Sequence, residues 1–143
     1  MIMRDSQRSK VYSWENKYVA PYDTVAVPFE QAQSIIDYVW SMEGLKYPPR
    51  TELMPRNSRK QGTATRLTIQ LQNPTYNWII LHELSHSMTS LIDGQSNWHG
   101  ALFMGIYIQL ISKYLRLDKF HLARTAENSG IQFKLNAKPV FVT

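Results

Sequence analysis

The order of apolar and polar residues predicts two amphipathic helices in the first third of the chain. Within residues 5–19, apolar residues recur at helical spacing at Val11, Trp14 and Tyr18. A second stripe with the same spacing follows Pro28, which suits a first helical turn, and consists of Phe29, Ala32, Ile36, Val39 and Trp40. The stripe ends before Gly44, so we expect a glycine cap at the end of this helix.

Two segments alternate with a period of two, which predicts strands. Residues 22–27, YDTVAV, have the β-branched alternation of a short strand. Residues 64–71, ATRLTIQL, alternate strictly, so that one face carries Leu67, Ile69 and Leu71 and the other carries Arg66, Thr68 and Gln70. Between these segments, residues 45–63 contain three prolines, which predicts a long loop with at most one short strand.

Two long helices are predicted to follow. Asn73 and Pro74 supply an N-cap and a first-turn proline for a helix that should run to about Asp93, with Gly94 ending it. A second helix is predicted over residues 98–117, with an apolar side made of Leu102, Phe103, Ile106, Leu110, Ile111 and Tyr114. Residues 130–142 alternate weakly and could add a strand. Helices combined with a few strands predict an α+β fold.

The length and composition favour one intracellular domain. A chain of 143 residues can bury a core of its own, and we expect a single domain with an N-terminal helix (residues 5–19), a core (residues 20–117) and a C-terminal tail (residues 118–143). The sequence has no cysteine, which excludes thiolate zinc sites and cysteine nucleophiles and favours a reducing compartment. We see neither a signal peptide nor a run of about 18 apolar residues, so we expect no membrane association.

The net charge of +5 is distributed unevenly along the chain. Residues 44–66 hold one acidic residue, Glu52, against six basic residues: Lys46, Arg50, Arg56, Arg59, Lys60 and Arg66. This basic loop could make a weak contact with DNA phosphates, although a solvated surface explains the same charge. Residues 67–112 contain no Lys or Arg. Such a segment suits a cation site, but buried helices also lack charge.

Residues 82–86 read HELSH, an HExxH motif in the middle of a predicted helix. Four residues make one turn plus about 40°, so the imidazoles of His82 and His86 project from the same face and can bind one Zn²⁺ at roughly 2.0–2.1 Å. Glu83 lies beside the pair. We predict that it is the general base, which takes a proton from a metal-activated water as the water attacks a peptide carbonyl.

A catalytic zinc needs a third protein ligand and an open fourth position. His99 is our first choice because it lies thirteen residues after His86, across a glycine-containing turn. Asp93 and Glu127 are the carboxylate alternatives. Two other interpretations remain, namely that HExxH arose by chance on an amphipathic helix, or that the metal only stabilises the fold. A closed structural site would use four protein ligands and would not require Glu83.

The sequence HELSHSMTSLIDGQSNWHGALF, residues 82–103, resembles the HELAH…HGxxF/W signature of SprT-like zincin metallopeptidases and of the smaller related metallohydrolases of phages and actinobacteria. The resemblance extends to TATRLTIQL and, more loosely, to KVYSWE, and so covers most of residues 8–117. It implies a minimal zincin-like fold, in which a small mixed or antiparallel sheet packs on the active-site helix and the following helix carries the third ligand. It also implies a cytoplasmic protein of a bacterium or of a phage-infected host.

The resemblance also implies roles for individual residues. His82, His86 and His99 would bind one zinc ion per chain, and Glu83 would be the catalytic base. The strand upstream of the motif would be the substrate-binding edge, so that a peptide adds alongside residues 65–71 and meets Arg66, Thr68 and Gln70. Two departures from the family stand out: Ser85 replaces the usual alanine, and the C-terminal cysteine ribbon of many relatives is absent, which puts their DNA-linked role in doubt here.

The predicted activity is therefore zinc-dependent hydrolysis of a protein or peptide substrate. By residue type alone, Tyr107, Tyr114 and His121 are candidate donors to the oxyanion that forms during the reaction. The alternatives are a nucleic-acid-associated module that uses the basic loop, and a structural or interaction protein that keeps the metal site without turnover.

Overall fold

The computed structural model describes residues 5–141 as an α+β fold, so the predicted fold class is confirmed. The elements follow in this order: α1 (Arg8–Tyr18), a short 3-10 helix (Ala20–Tyr22), α2 (Phe29–Met42), β1 (Arg50–Leu53), β2 (Gly62–Ala64), β3 (Thr68–Leu71), α3 (Asn77–Met88), α4 (Ala101–Tyr114) and α5 (Lys119–Asn128). Over residues 5–141, no helix has both the length and the apolar character that crossing a membrane would require.

The three strands form a mixed sheet in the order β1-β3-β2. β1 runs parallel to β3, with Arg50 opposite Thr68, and β2 runs antiparallel to β3, with Gly62 opposite Leu71. β3 is therefore the central strand, and its Ile69 side chain is fully buried. Within residues 5–141 the outer side of β2 has no paired strand and is a free edge, and β2 packs beside α3.

α3 is the central helix of the fold. It packs against the sheet, α2 and α4, and apolar residues on more than one side of it are buried, including Ile80, Leu84 and Met88 as predicted. Full burial of an aliphatic side chain contributes about 1.5–3 kcal/mol to stability, so this helix is held firmly in place. The HExxH motif thus lies on the most enclosed element of the protein.

The prediction of a strand over residues 22–27 is wrong. Val27 pairs with Thr75 in one isolated bridge, and the preceding residues form the 3-10 helix and an extended connection in which Val25 is 75% exposed. A β-strand requires backbone pairing with a neighbouring strand over several residues, and within residues 22–27 only Val27 is paired.

Residues 64–71 form a hairpin rather than one strand. β2 ends at Ala64, and the Thr65 hydroxyl accepts hydrogen bonds from the N–H groups of Leu67 and Thr68, at 3.3 and 3.1 Å, which closes a tight turn. Local hydroxyl-to-backbone bonds of this kind compete with extended structure. The prediction of at most one short strand within residues 45–63 is wrong, because β1 lies entirely in this range and β2 begins there at Gly62.

The central helix is shorter than predicted at both ends. Asn73 caps α2 instead of α3, since its side-chain oxygen accepts the N–H of Phe29 at 3.1 Å, and Asp23 accepts the N–H of Trp78 near the start of α3 at 2.7 Å. After Met88 the chain enters a loop in which Gly94 adopts a φ of 98°. Both caps thus come from segments distant in sequence, which local patterns do not reveal.

The C-terminal region contains a helix that the sequence patterns did not predict. Asp118 caps α5 by accepting the N–H groups of Phe120 and His121, at 2.9 and 3.1 Å. Leu122 and Ala126 of α5 join the main hydrophobic core. No strand forms over residues 130–141, and the last residue of the predicted strand, Val142, lies outside the described residues.

Candidate functional site

Three imidazoles converge where α3 meets the loop before α4. His82 and His86 lie one turn apart on α3, and His99 immediately precedes Gly100, the N-cap of α4. One nitrogen atom from each ring lies within 4.8 Å of the other two. The Nε2 atoms of His82 and His99 are 3.3 Å apart. The structure therefore brings together all three histidines that the sequence analysis selected.

Two of the three imidazoles have a hydrogen-bond partner on Nδ1, the atom that points away from the other rings. His82 Nδ1 bonds to Oε2 of Glu15 at 2.6 Å, and His99 Nδ1 bonds to Oδ2 of Asp5. At His86 the backbone of Trp98, a residue with a left-handed φ of 53°, acts to raise the pKa of the ring against the stronger effect of burial. When Nδ1 donates its hydrogen to a carboxylate, the Nε2 atom carries the lone pair. These partners therefore aim Nε2 of His82 and of His99 at the space between the rings.

The spacing of the Nε2 atoms of His82 and His99 fits a divalent cation. Two nitrogens bound at roughly 2.0–2.1 Å to a tetrahedral ion lie about 3.3–3.4 Å apart, and the Nε2 atoms of His82 and His99 are separated by 3.3 Å. Two lone pairs that face one another at this distance repel unless a proton or a cation lies between them. The three rings could hold one metal ion, and imidazole suits borderline ions such as zinc.

Neither carboxylate alternative reaches this cluster. Asp93 is exposed and its Oδ1 accepts the N–H of Gln95 at 3.0 Å, while Glu127 is exposed on α5. Neither residue lines the cleft that opens on the histidines. His99 is the residue that the structure places in the third position.

Glu15 is a buried carboxylate that the sequence analysis missed. It is 2% exposed, and its Oε2 accepts hydrogen bonds from both His82 and the Tyr107 hydroxyl, the latter at 2.6 Å. A sequence signal existed, because Glu15 lies four residues after Val11 and thus on the buried face of the first helix. Asp5 had no such signal, since it precedes α1 and contacts His99 only through the fold.

One apolar side chain, Phe103, packs against the three imidazole rings. Phe103 of α4 is fully buried and stacks on His86, with 4.3 Å between ring centroids and 25° between ring planes. Its ring also contacts the rings of His82 and His99 edge-on, at 5.1 and 5.0 Å. One aromatic side chain therefore packs against all three histidines and limits their rotation.

Glu83 is buried next to the histidines and faces β2. A Cβ atom at Gly62 would lie 2.8 Å from Oε2 of Glu83, so the carboxylate fits there only because residue 62 has no side chain. Among the hydrogen bonds and ion pairs formed within residues 5–141, none involves this carboxylate. Glu83 lines the cleft, so a group that enters the cleft can serve as the partner of its carboxylate.

The electrostatics of the cluster favour a cation. Burial lowers the pKa of His82, but the carboxylates of Glu15 and Glu83 outweigh this effect and raise it to about 9. Burial raises the pKa of Glu83 to about 7, against the opposing effect of His82. Burial and the neighbouring His82 and His99 hold the pKa of His86 well below its usual range. Burial also lowers the pKa of His99, although its hydrogen bond to Asp5 acts in the opposite direction. The carboxylates thus create a negative potential, while two of the rings stay neutral, as metal ligands must be.

The histidines lie at the floor of a cleft of about 1000 Å³. One part of the lining is the face of α1 that carries Arg8, Tyr12 and Asn16, and another part is β2 with the preceding residues 59–61. Trp98 also lines the cleft and is 38% exposed. The site is therefore open to a ligand that is much larger than water.

The strand predicted to bind substrate has no free edge. β3 is paired with β1 on one side and with β2 on the other, so the prediction that a peptide adds alongside residues 65–71 is wrong. Thr68 contacts the hydroxyl of Thr65 at 2.9 Å, and Gln70 accepts the hydroxyl of Thr63 at 3.0 Å. Neither Thr68 nor Gln70 lines the cleft.

Arg66 is also placed away from the cleft. Its side chain is buried, with the guanidinium 4.8 Å from the centroid of the Trp40 ring and 4.6 Å from that of Phe141. It donates hydrogen bonds to the carbonyl groups of Tyr47 and Lys46, at 3.1 and 3.4 Å. Arg66 therefore fastens the hairpin turn to α2 and to the C-terminal residues.

The three residues considered as oxyanion donors do not face the cleft. The hydroxyl of Tyr107 is bonded to Glu15, and that of Tyr114 is bonded to Glu43 at 2.6 Å. His121 is exposed on α5, beside Tyr18. The aromatic hydroxyl that does line the cleft belongs to Tyr12, whose ring centroid lies 5.2 Å from that of His99 and 6.2 Å from that of His82.

Comparisons of the chain with protein-family models, with curated proteins and with solved structures gave no match. The resemblance to SprT-like metallopeptidases therefore rests on the sequence motifs. What the structure establishes is an α+β protein with a buried cluster of three histidines that could hold one metal ion.

Proposed function

We propose that this protein is a zinc-dependent metallopeptidase with a minimal zincin-like fold, in which His82, His86 and His99 bind zinc and Glu83 is the general base. The observation that carries the proposal is the 3.3 Å separation of two Nε2 atoms, next to a buried carboxylate that has no donor within residues 5–141. A zinc ion bound there would polarise the substrate carbonyl and make solvent easier to deprotonate.

The choice of zinc follows from the donor set. The cluster offers three imidazoles and no thiolate, and the cleft reaches it from one side. Catalytic zinc sites combine three protein ligands with one open position, whereas structural sites use four ligands. The three histidines with an open side match the catalytic arrangement.

Glu83 is suited to move a proton rather than to bind the metal. It follows His82 directly on α3, so its side chain leaves the helix in a different direction from those of the two histidines. Its carboxylate lines the cleft and rests against Gly62. From this position it would accept a proton from the attacking solvent and pass it to the leaving amine.

β2 is the edge that would hold the substrate. Among the described residues it pairs with β3 alone, and its residues 62–64 line the cleft that also contains Glu83. An extended peptide that adds to this edge would gain backbone hydrogen bonds and bring a carbonyl group close to the histidines. The Tyr12 hydroxyl would then donate to the oxygen of that carbonyl as negative charge develops.

The nucleic-acid alternative has less support. Arg66, one of the six cations in the basic loop, is buried and bonded to carbonyl groups, so it cannot meet phosphates. The alternative of a metal site without turnover does not explain why a carboxylate with no donor in residues 5–141 lies buried beside the histidines at the floor of the cleft.

Cleavage of an unfolded protein such as casein by the zinc-loaded chain tests the proposal. The variant Glu83→Gln should keep its zinc and lose cleavage, because the amide binds no proton at neutral pH. Equal cleavage by the parent protein and by this variant would exclude the mechanism.

A further inference from the structure

We propose that the cleft selects acidic stretches of polypeptide, and that Arg8, Arg59 and Lys60 are the residues that recognise them. The inference rests on the proposed function, because it names the substrate class of the same cleft.

The three cations come from two different segments that line the cleft. Arg8 belongs to α1, and Arg59 and Lys60 belong to the segment that leads into β2. All three are exposed. The ion pairs formed within residues 5–141 involve His82, His99 and Lys113, so none of the three cleft cations has an acidic partner there.

The carboxylates of the cleft are occupied or buried. Asp5 and Glu15 bond to the imidazoles of His99 and His82, and Glu83 is only 5% exposed. The negative charge thus sits at the floor, and the positive charge sits at the rim, where a substrate arrives. A divalent cation at the floor would make the whole cleft net positive, since the three carboxylates are otherwise matched by the three side-chain cations. Both features attract an anionic ligand.

Arg8 is close enough to the histidines to affect the residues next to the cleaved bond. Its guanidinium lies 5.6 Å from the centroid of the Tyr12 ring, and that ring lies 5.2 Å from the His99 ring. In an extended peptide, side chains on the same face recur about every 6.8 Å. An Asp or Glu within one or two residues of the cleaved bond could therefore reach Arg8.

A peptide fits this cleft better than a nucleic acid does. The free edge of β2 offers backbone N–H and C=O groups along one wall, which match an extended peptide and have no counterpart in a sugar-phosphate chain. Single-stranded DNA is nevertheless the natural competitor for three exposed cations, and the experiment includes it.

Binding can be measured without cleavage in the zinc-loaded Glu83→Gln variant. Fluorescein-labelled peptides rich in Glu are compared by anisotropy with peptides in which every Glu is replaced by Gln, and with a single-stranded oligonucleotide of equal charge. We expect the acidic peptide to bind about tenfold more tightly than its Gln counterpart at low salt, because three exposed ion pairs act together. The preference should shrink at about 0.3 M salt.

Charge variants assign the effect to the cleft. Replacing Arg8, Arg59 and Lys60 together by Gln should abolish the preference. The matched control replaces three exposed cations outside the cleft, Lys119, Arg124 and Lys138, by Gln and changes the net charge equally. Equal binding of the two peptides, an unchanged preference in the cleft variant, or tighter binding of the oligonucleotide than of the acidic peptide would overturn the inference. Failure of the parent protein to cleave any substrate would instead contradict the proposed function. The peptide preference would still be measurable in that case, because the binding experiment does not depend on cleavage.

Discussion

The Nδ1 atom of His82 lies 2.6 Å from Oε2 of Glu15, although the two residues are 67 positions apart in the sequence. The hydrogen bond ties the N-terminal helix α1 to the central helix α3. Because Glu15 also accepts the hydroxyl of Tyr107, its carboxylate is fixed between two elements and in turn fixes the imidazole. The orientation of a proposed metal ligand is thus set by a helix that contributes no ligand itself.

Glu15→Gln should weaken zinc binding. The amide keeps the size of the carboxylate but not its charge, and loss of an outer partner of a metal ligand costs roughly 10- to 100-fold in metal affinity. Competition with a chromogenic chelator measures the change. Tyr107→Phe is the comparison, because it leaves the Glu15 charge in place and should have the smaller effect. Unchanged affinity in the Gln variant would show that Glu15 does not tune the site.

Gly62→Ala should lower peptidase activity while zinc binding is retained. The added methyl group would lie 2.8 Å from Oε2 of Glu83, so the carboxylate must move away from its position beside β2. Gly44→Ala serves as the control, since Gly44 has a φ of 76° and no atom near the new methyl group. We expect that variant to lose thermal stability but to keep its activity per folded molecule. If Gly62→Ala and Gly44→Ala have the same activity per folded molecule, the contact between Gly62 and Glu83 does not contribute to catalysis.

Tyr12→Phe should reduce kcat by about 10²- to 10³-fold, the usual effect of removing one donor to an oxyanion. Metal content should not change, because the Tyr12 ring only flanks the histidines. Steady-state kinetics and metal analysis are run side by side with Tyr47→Phe, which alters a residue that is 80% exposed and outside the cleft. A rise in KM with kcat unchanged would assign Tyr12 to substrate binding instead.

Arg66→Met should destabilise the protein and leave catalysis intact. The substitution removes two hydrogen bonds to carbonyl groups and the contacts of a guanidinium with two aromatic rings. Together these are worth about 2 kcal/mol in the free energy of unfolding, measured by urea denaturation. A substrate-binding role for Arg66, as the sequence suggested, would appear instead as a higher KM with unchanged stability.

Local patterns predicted the parts of the site that depend on local geometry. His82 and His86 lie on one helix face because four residues make about one turn, and His99 follows after a short loop, so the fold had little freedom to separate it from them. The apolar stripes of α1 and α2 were also visible, since each records which face of the helix is buried.

Long-range pairings could not be predicted in this way. The hairpin between β2 and β3 could not be predicted, because the alternation of apolar and polar residues in the sequence continues through Thr65. In the structure, the Thr65 hydroxyl closes the turn at this position. The order of the strands, which makes β2 the free edge, depends on which segments pair across the loop of residues 54–61. Asp5 reaches His99 across 94 positions. Such contacts form only in the folded chain and produce no periodic pattern of apolar and polar residues in the sequence.

Metal analysis of the purified protein by native mass spectrometry tests the central claim most directly. The parent protein should carry one zinc ion per chain, His99→Ala should lose it, and His121→Ala, which changes an exposed histidine of α5, should retain it. Full zinc occupancy in the His99 variant, or a parent protein that takes up no divalent metal when supplied with it, would contradict the account.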